Sequence, residues 1–140
     1  MTHKISIVSA CLAGISCRYD CASATRLDIV EMVRAGEAIP LCPEQLAGLP
    51  TPRPPAEQQE DGSIKDIHGK DISTQFNHGA LEALKIVQLS AASHVYLKSK
   101  SPMCGVDKIY DGHFTGKLIA GDGIFTALLK KLKIKITVID

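Results

Sequence analysis

Four short apolar runs partition this chain: KISIVSA (4–10), AIPL (38–41), HVYLK (94–98) and IKITVI (134–139). Each is short and rich in branched residues, as expected of a strand buried on both faces. Helical periodicity occupies the intervals. LDIVEMVRAGE places Leu27, Val30 and Val33 on one face and stops at Gly36. A long helix capped by Ser73 carries Phe76, Ala80, Leu81, Leu84 and Val87 on its inner side. A last helix, over about 122–133, turns Ile124, Leu128, Leu129 and Leu132 inward. Strands separated by helical crossovers imply a parallel sheet covered on both faces. The expected fold is α/β: a three-layer, Rossmann-like single domain over 1–140, its mostly parallel sheet of about four strands ordered 2-1-3-4.

Two stretches fall outside this alternation. The proline density of PEQLAGLPTPRPPAE (43–57) excludes helix and central strand and predicts a stiff loop. SIKDIHGKDI (63–72) predicts a minor two-stranded excursion turning at Gly69. The remaining composition narrows the function classes. Net charge is +1, and the lysines of LLKKLKIKI suit a solvated helix end, so no nucleic-acid partner is expected. No apolar stretch is long enough to span a bilayer, so no membrane partner is expected. VSAC (8–11) loosely resembles a lipoprotein cleavage site, but the run before it is shorter than the roughly 7–15 residues such a leader needs. A cytoplasmic protein, monomeric or a small homo-oligomer, is the expectation.

The five cysteines carry the chemistry. An odd count in a reducing compartment argues against a disulfide framework and towards metal or catalysis. Cys11 follows the first strand, Cys42 the second, and Cys104 lies in the loop after the third. In a parallel sheet these strand ends share one edge, where ligands bind. Separations of 31 and 62 residues are therefore collapsed by the fold. Three converging thiolates suit a soft metal centre. Zinc favours close pairs such as C-x-x-C, which are absent; a [4Fe–4S] cluster takes thiolates, and with three of them one iron stays open as a Lewis acid. Separate buried cysteines are the plain alternative. Cys17 and Cys21, four apart, could be packing residues or a dithiol redox pair.

Five blocks, SACLAGISCRYD, PLCPEQLAGLPTPRPPAE, KSKSPMCG, IYDGHFTGKL and GDGIFTALLKK, resemble the bacterial iron–sulfur-dependent thiouracil desulfidase family, formerly a domain of unknown function. The resemblance implies a [4Fe–4S] cluster on Cys11, Cys42 and Cys104, a catalytic acid at Glu44 and an active-site hydroxyl at Ser101. It implies non-redox removal of sulfur from a thiolated pyrimidine such as 2-thiouracil, released as hydrogen sulfide. The competing functions are a non-catalytic iron–sulfur or zinc sensor module, and a dithiol enzyme using Cys17 and Cys21. Read without the family, Glu44 could cap a helix beginning at Gln45, and Ser101 could start a turn before Pro102. The chain departs from the family pattern at Cys21, where RYDG becomes RYDC, at Met103, where SPSCG becomes SPMCG, and at Ala13 and Ala47. Met103 is expected to narrow the pocket.

Other candidates are weaker. Arg53, on a proline-stiffened backbone, could hold a carboxylate or phosphate, or an internal acid. Arg18, Tyr19 and Asp20 could support the first cysteine loop. His3, His68, His78, His94 and His113 lack metal-binding spacing. GHFTGKL lacks the length and the Ser/Thr of a phosphate-binding loop. AGDG before the last helix could receive an anion or simply make a tight turn.

Overall fold

The four apolar runs form one parallel sheet. A computed structural model describes residues 4–140, so His3 lies outside the described residues. In chain order, β1 (Ser6–Ser9) leads into a 3₁₀ turn (Ala10–Ala13), then α1 (Leu27–Arg34), β2 (Ala38–Leu41) and the one-turn α2 (Pro43–Leu46). β3 (Ala56–Gln58) and β4 (Ile64–Asp66) follow, then α3 (Ser73–Leu89) and β5 (His94–Lys98). The chain continues through β6 (Lys108–Tyr110), β7 (Leu118–Ala120), α4 (Ile124–Lys131) and β8 (Lys135–Ile139). The sheet order is β2-β1-β5-β8, the expected 2-1-3-4 when only sheet strands are counted. All its pairings are parallel, with Ser6 opposite both Ala38 and His94.

Alternation along the central strands divides the core into two layers. Ile7, Val95 and Leu97 face α3 and α4 and pack with Phe76, Val87, Phe125 and Leu129. Val8 faces the other way and joins Leu12 and Ile29 of the α1 side. Gly36 has a left-handed φ of +73° and donates to Val33 O, ending α1 where expected.

Several expectations need correction. The proline block contains two elements: α2, in which Pro43 takes the first helical position where its missing N–H costs nothing, and β3, which begins only after Pro55. β3 pairs antiparallel with β4. The turn at Gly69 exists, but it closes a single bridge between Lys65 and Asp71 rather than a second ribbon. Ser73 does not cap α3: its hydroxyl accepts from Ile64 N–H, and Asp71 Oδ1 accepts from Ser73 N–H instead. The expected inner faces hold at Phe76, Ala80, Val87 and Leu129 but fail at three leucines. Leu27, Leu81 and Leu132 are exposed, while Ile29, Ala83 and Phe125 are buried. A second hairpin, β6 with β7, was not anticipated.

Candidate functional site

A cavity of about 550 Å³ opens at the carboxyl edge of the sheet and is lined by Cys11, Cys17, Cys42, Glu44, Ser101 and Cys104. Each reaches it from a different local structure. Cys11 sits in the tight 3₁₀ turn that ends β1, its carbonyl accepting from Gly14 and Ala24 N–H. Cys42 precedes α2, so the same turn places Glu44 beside it. Cys104 is held in a turn by Ser101, whose Oγ accepts from Cys104 N–H at 2.8 Å and whose carbonyl accepts from Gly105 N–H. Ser101 thus starts a turn, and its hydroxyl also faces the Cys104 thiol, whose proton affinity it lowers.

The first turn of α4 braces this loop. Gly123, Ile124 and Phe125 N–H groups donate to Gly105, Pro102 and Met103 carbonyls. A Cβ at Gly123 would collide with the Met103 backbone and lie 2.6 Å from Cys104 N. The AGDG turn is therefore a close-packing device whose donors are used internally, not an anion site. Met103 is fully buried in the core with Phe125, pointing away from the cavity, so it does not narrow the pocket. Cys21 is exposed with φ +64°, a conformation natural to glycine and strained for cysteine.

The thiols interact. Cys17, 1% exposed, is packed between Cys11 and Cys42, whose Sγ donates to the Cys17 carbonyl at 3.9 Å. The neighbouring Cys17 thiol lowers the proton affinity of Cys11 below the ordinary thiol value, against the effect of burial. The same contact raises Cys17 to about 11. Cys42 is pushed up by the adjacent Cys17 thiol and then by burial. Cys104 is pushed up by burial, then by the charge of Glu44, while Ser9 and Ser101 hydroxyls oppose. All five cysteines are free thiols. Among the described residues, no three His, Cys, Asp or Glu side chains converge closely enough to chelate a single ion. Thiols arrayed around a cavity rather than on one point suit a multi-iron cube, whose corners are separate metals.

Glu44 is tied to Arg53. Nε of Arg53 donates to Glu44 Oε1 at 3.2 Å, with the side chains 4% and 19% exposed. Burial raises the Glu44 carboxyl above the ordinary carboxylate range, and the Arg53 charge pulls it back down. Arg53 donates further to Pro50 O, Thr51 Oγ1 and Cys17 O, while its own N–H donates to Tyr19 O. It therefore joins the α2 turn to the 17–19 segment, choosing the internal acid over an external anion. Arg18 and Tyr19 also line the cavity, and Arg18 pairs with Asp20 at 3.7 Å. Sequence reasoning missed Glu57, Lys98, Tyr110 and Phe114, which share the cavity. Their signal was faint: Glu57 ends the proline block, and the rest lie in or beside strands and turns with no chemical spacing.

The fold and site define a class: an α/β protein whose sheet-edge crevice gathers thiols around a buried carboxylate. The chain belongs to the 2-thiouracil desulfurase family, an enzyme family whose model matches residues 6–140. It is 41% identical over 134 residues to the uncharacterized protein YbbK of Bacillus subtilis (strain 168), covering 89% of each chain. It superposes on the [4Fe–4S]-dependent thiouracil desulfidase TudS with a TM-score of 0.90 and 40% identity, covering 98% of this chain and 91% of that one.

Proposed function

We propose that this enzyme removes sulfur from a thiolated pyrimidine such as 2-thiouracil, with a [4Fe–4S] cluster held by Cys11, Cys42 and Cys104. The observation that carries the reading is the meeting of those three cysteines and Glu44 in one cavity at the sheet edge. Bound there by three thiolates, such a cluster supplies an iron without a protein ligand, a Lewis acid for a thiocarbonyl sulfur.

This chain's own side chains do the rest. The net reaction is hydrolysis: a water oxygen bonds to the ring carbon, the carbon–sulfur bond breaks, and two protons leave with sulfur as hydrogen sulfide. No electron is gained or lost. Glu44 takes a proton from the attacking water and returns one to the departing sulfur. Its raised proton affinity suits both directions of transfer, since a general catalyst works best when its pKa approaches the working pH. Arg53 fixes the carboxylate by its Nε contact, leaving Oε2 for the water. Ser101 lines the same cavity and offers its hydroxyl to orient that water or the substrate carbonyl.

The test is sulfide release from 2-thiouracil by anaerobically reconstituted protein. Glu44→Gln should lower kcat by about 10²–10⁴-fold while keeping the cluster absorbance. Sulfide release at the wild-type rate in that variant would remove Glu44 from the mechanism. A brown protein that binds the cluster but never releases sulfide would favour the sensor reading.

A further inference from the structure

Of the three phenylalanines, Phe76 and Phe125 are fully buried in the core. Phe114 belongs to neither core cluster; it is half-buried and lines the thiol cavity. Its φ is +57°, a region that bulky L side chains rarely occupy. Such strain persists where the surroundings over-determine it, and it gathers at ligand clamps.

The surroundings here are specific. The loop between β6 and β7 is closed at its neck by Asp111 N–H donating to Lys117 O at 3.0 Å. Glu57, 7% exposed, reaches from β3 and accepts with one oxygen from Gly112 N–H at 2.9 Å and Phe114 N–H at 3.1 Å. Charge-assisted bonds of this kind are roughly twice as strong as neutral ones. Gly112 presses so closely on β3 that a Cβ would lie 2.8 Å from Gln58 O. A buried carboxylate is thus committed to holding an aromatic ring, in a strained backbone, against the cavity rather than in the core.

We propose that Phe114 is the wall on which the substrate's planar ring stacks, and that Glu57 is the positioning residue that fixes it. This rests on the thiolated-pyrimidine reading above. A small neutral heterocycle offers a polar edge and two flat apolar faces. Glu44 and Ser101 address the edge; only an aromatic face addresses the ring, and stacking is indifferent to which base is presented. Phe114 therefore governs binding rather than bond cleavage.

The test titrates 2-thiouracil anaerobically into cluster-loaded Glu44→Gln protein, in which turnover is slow compared with binding. Phe114→Leu and the volume-conserving Phe114→Met should each weaken binding on the order of tenfold, and Phe114→Tyr should restore it. With Glu44 intact, Phe114→Met should raise KM by the same factor and leave kcat within about twofold. Glu57→Ala should speed hydrogen exchange at the Gly112 and Phe114 amides and raise KM, with Glu57→Gln, whose amide oxygen still accepts, intermediate. Unchanged affinity in Phe114→Met, or unchanged exchange in Glu57→Ala, overturns the proposal. Wild-type protein that releases no sulfide, yet binds 2-thiouracil in a Phe114-dependent way, sinks the desulfidase reading and leaves the stacking wall standing. Turnover with affinity indifferent to Phe114 does the reverse, and no binding at all sinks both.

Discussion

Arg53 concentrates four hydrogen-bond donations into a space from which water is nearly excluded, and one of its partners is the carboxylate beside Cys42. Removing one member of a buried pair leaves an uncompensated charge. Arg53→Ala should therefore lower the unfolding free energy by about 3–5 kcal/mol and loosen both the 17–19 segment and the α2 turn, as read by urea denaturation. A loss below ~1 kcal/mol would mean that the pair is solvent-screened. His94 makes a different, pH-dependent contribution. Its Nε2 meets Thr137 Oγ1 at 2.7 Å, its ring stacks on Tyr96 at 4.2 Å, and burial followed by the Lys135 charge lowers its proton affinity. Below the ordinary imidazole value the unfolded chain takes up a proton that the folded chain resists, so stability falls as pH drops through that window. Urea midpoints measured at pH about 7.5 and about 5.5 should separate for wild type and nearly coincide for His94→Gln, because the ordinary imidazole pKa of about 6.5 lies between them. At this scale the sequence was most legible where chemistry is borne by rare residues. Cys11, Cys42 and Cys104 could be singled out by type and position, and Glu44 only through the family resemblance, whereas Glu57 and Phe114 acquire their roles only from a loop closure 55 and more residues away.

Among the elements, α3 shows how an inner face is read only in part: Phe76, Ala80 and Val87 lie on it as expected, Gly79 and Ala83 go unnoticed, and Leu81 is misplaced. Its buried stripe is Phe76, Gly79, Ala80, Ala83 and Val87, mostly small residues that a reading weighted towards leucine overlooks. Small size is required because α2 lies directly on α3: a Cβ at Gly79 would collide with Pro43 O and lie 2.7 Å from the Ala47 Cβ. Leu81 fits the helical period but falls on solvent, since a short amphipathic pattern permits more than one stripe. Gly79→Ala should destabilise the protein by about 1–3 kcal/mol despite alanine's better helix propensity, measured as a fall in Tm. A rise in Tm would show that α2 does not pack this closely. The same contact sets the height of Glu44 above the sheet, so the variant's desulfidation should drop by more than its unfolded fraction explains. Proline density concealed α2 and β3 for a related reason. A proline at the first turn of a helix, or just before an edge strand, reads locally as a breaker although the neighbouring elements use it as a boundary.

For the whole molecule, one topological fact carries the function. Parallel strands joined by helical crossovers send every strand end to the same edge, so residues 11, 42 and 104 meet without being neighbours in sequence. That is why the location of the crevice, though not the order of the strands, could be argued from the four apolar runs. The two hairpins could not, because β3–β4 and β6–β7 are three-residue strands whose pairing is decided by loop contacts. Those excursions roof the cavity, and they supply its carboxylate clamp and aromatic wall. The most direct test is the mass of the anaerobically reconstituted protein under native conditions. Wild type and Cys21→Ala should each carry one [4Fe–4S] cluster per chain, and Cys11→Ala, Cys42→Ala and Cys104→Ala should each lose it. A full, stable cluster in any of those three variants would contradict the account.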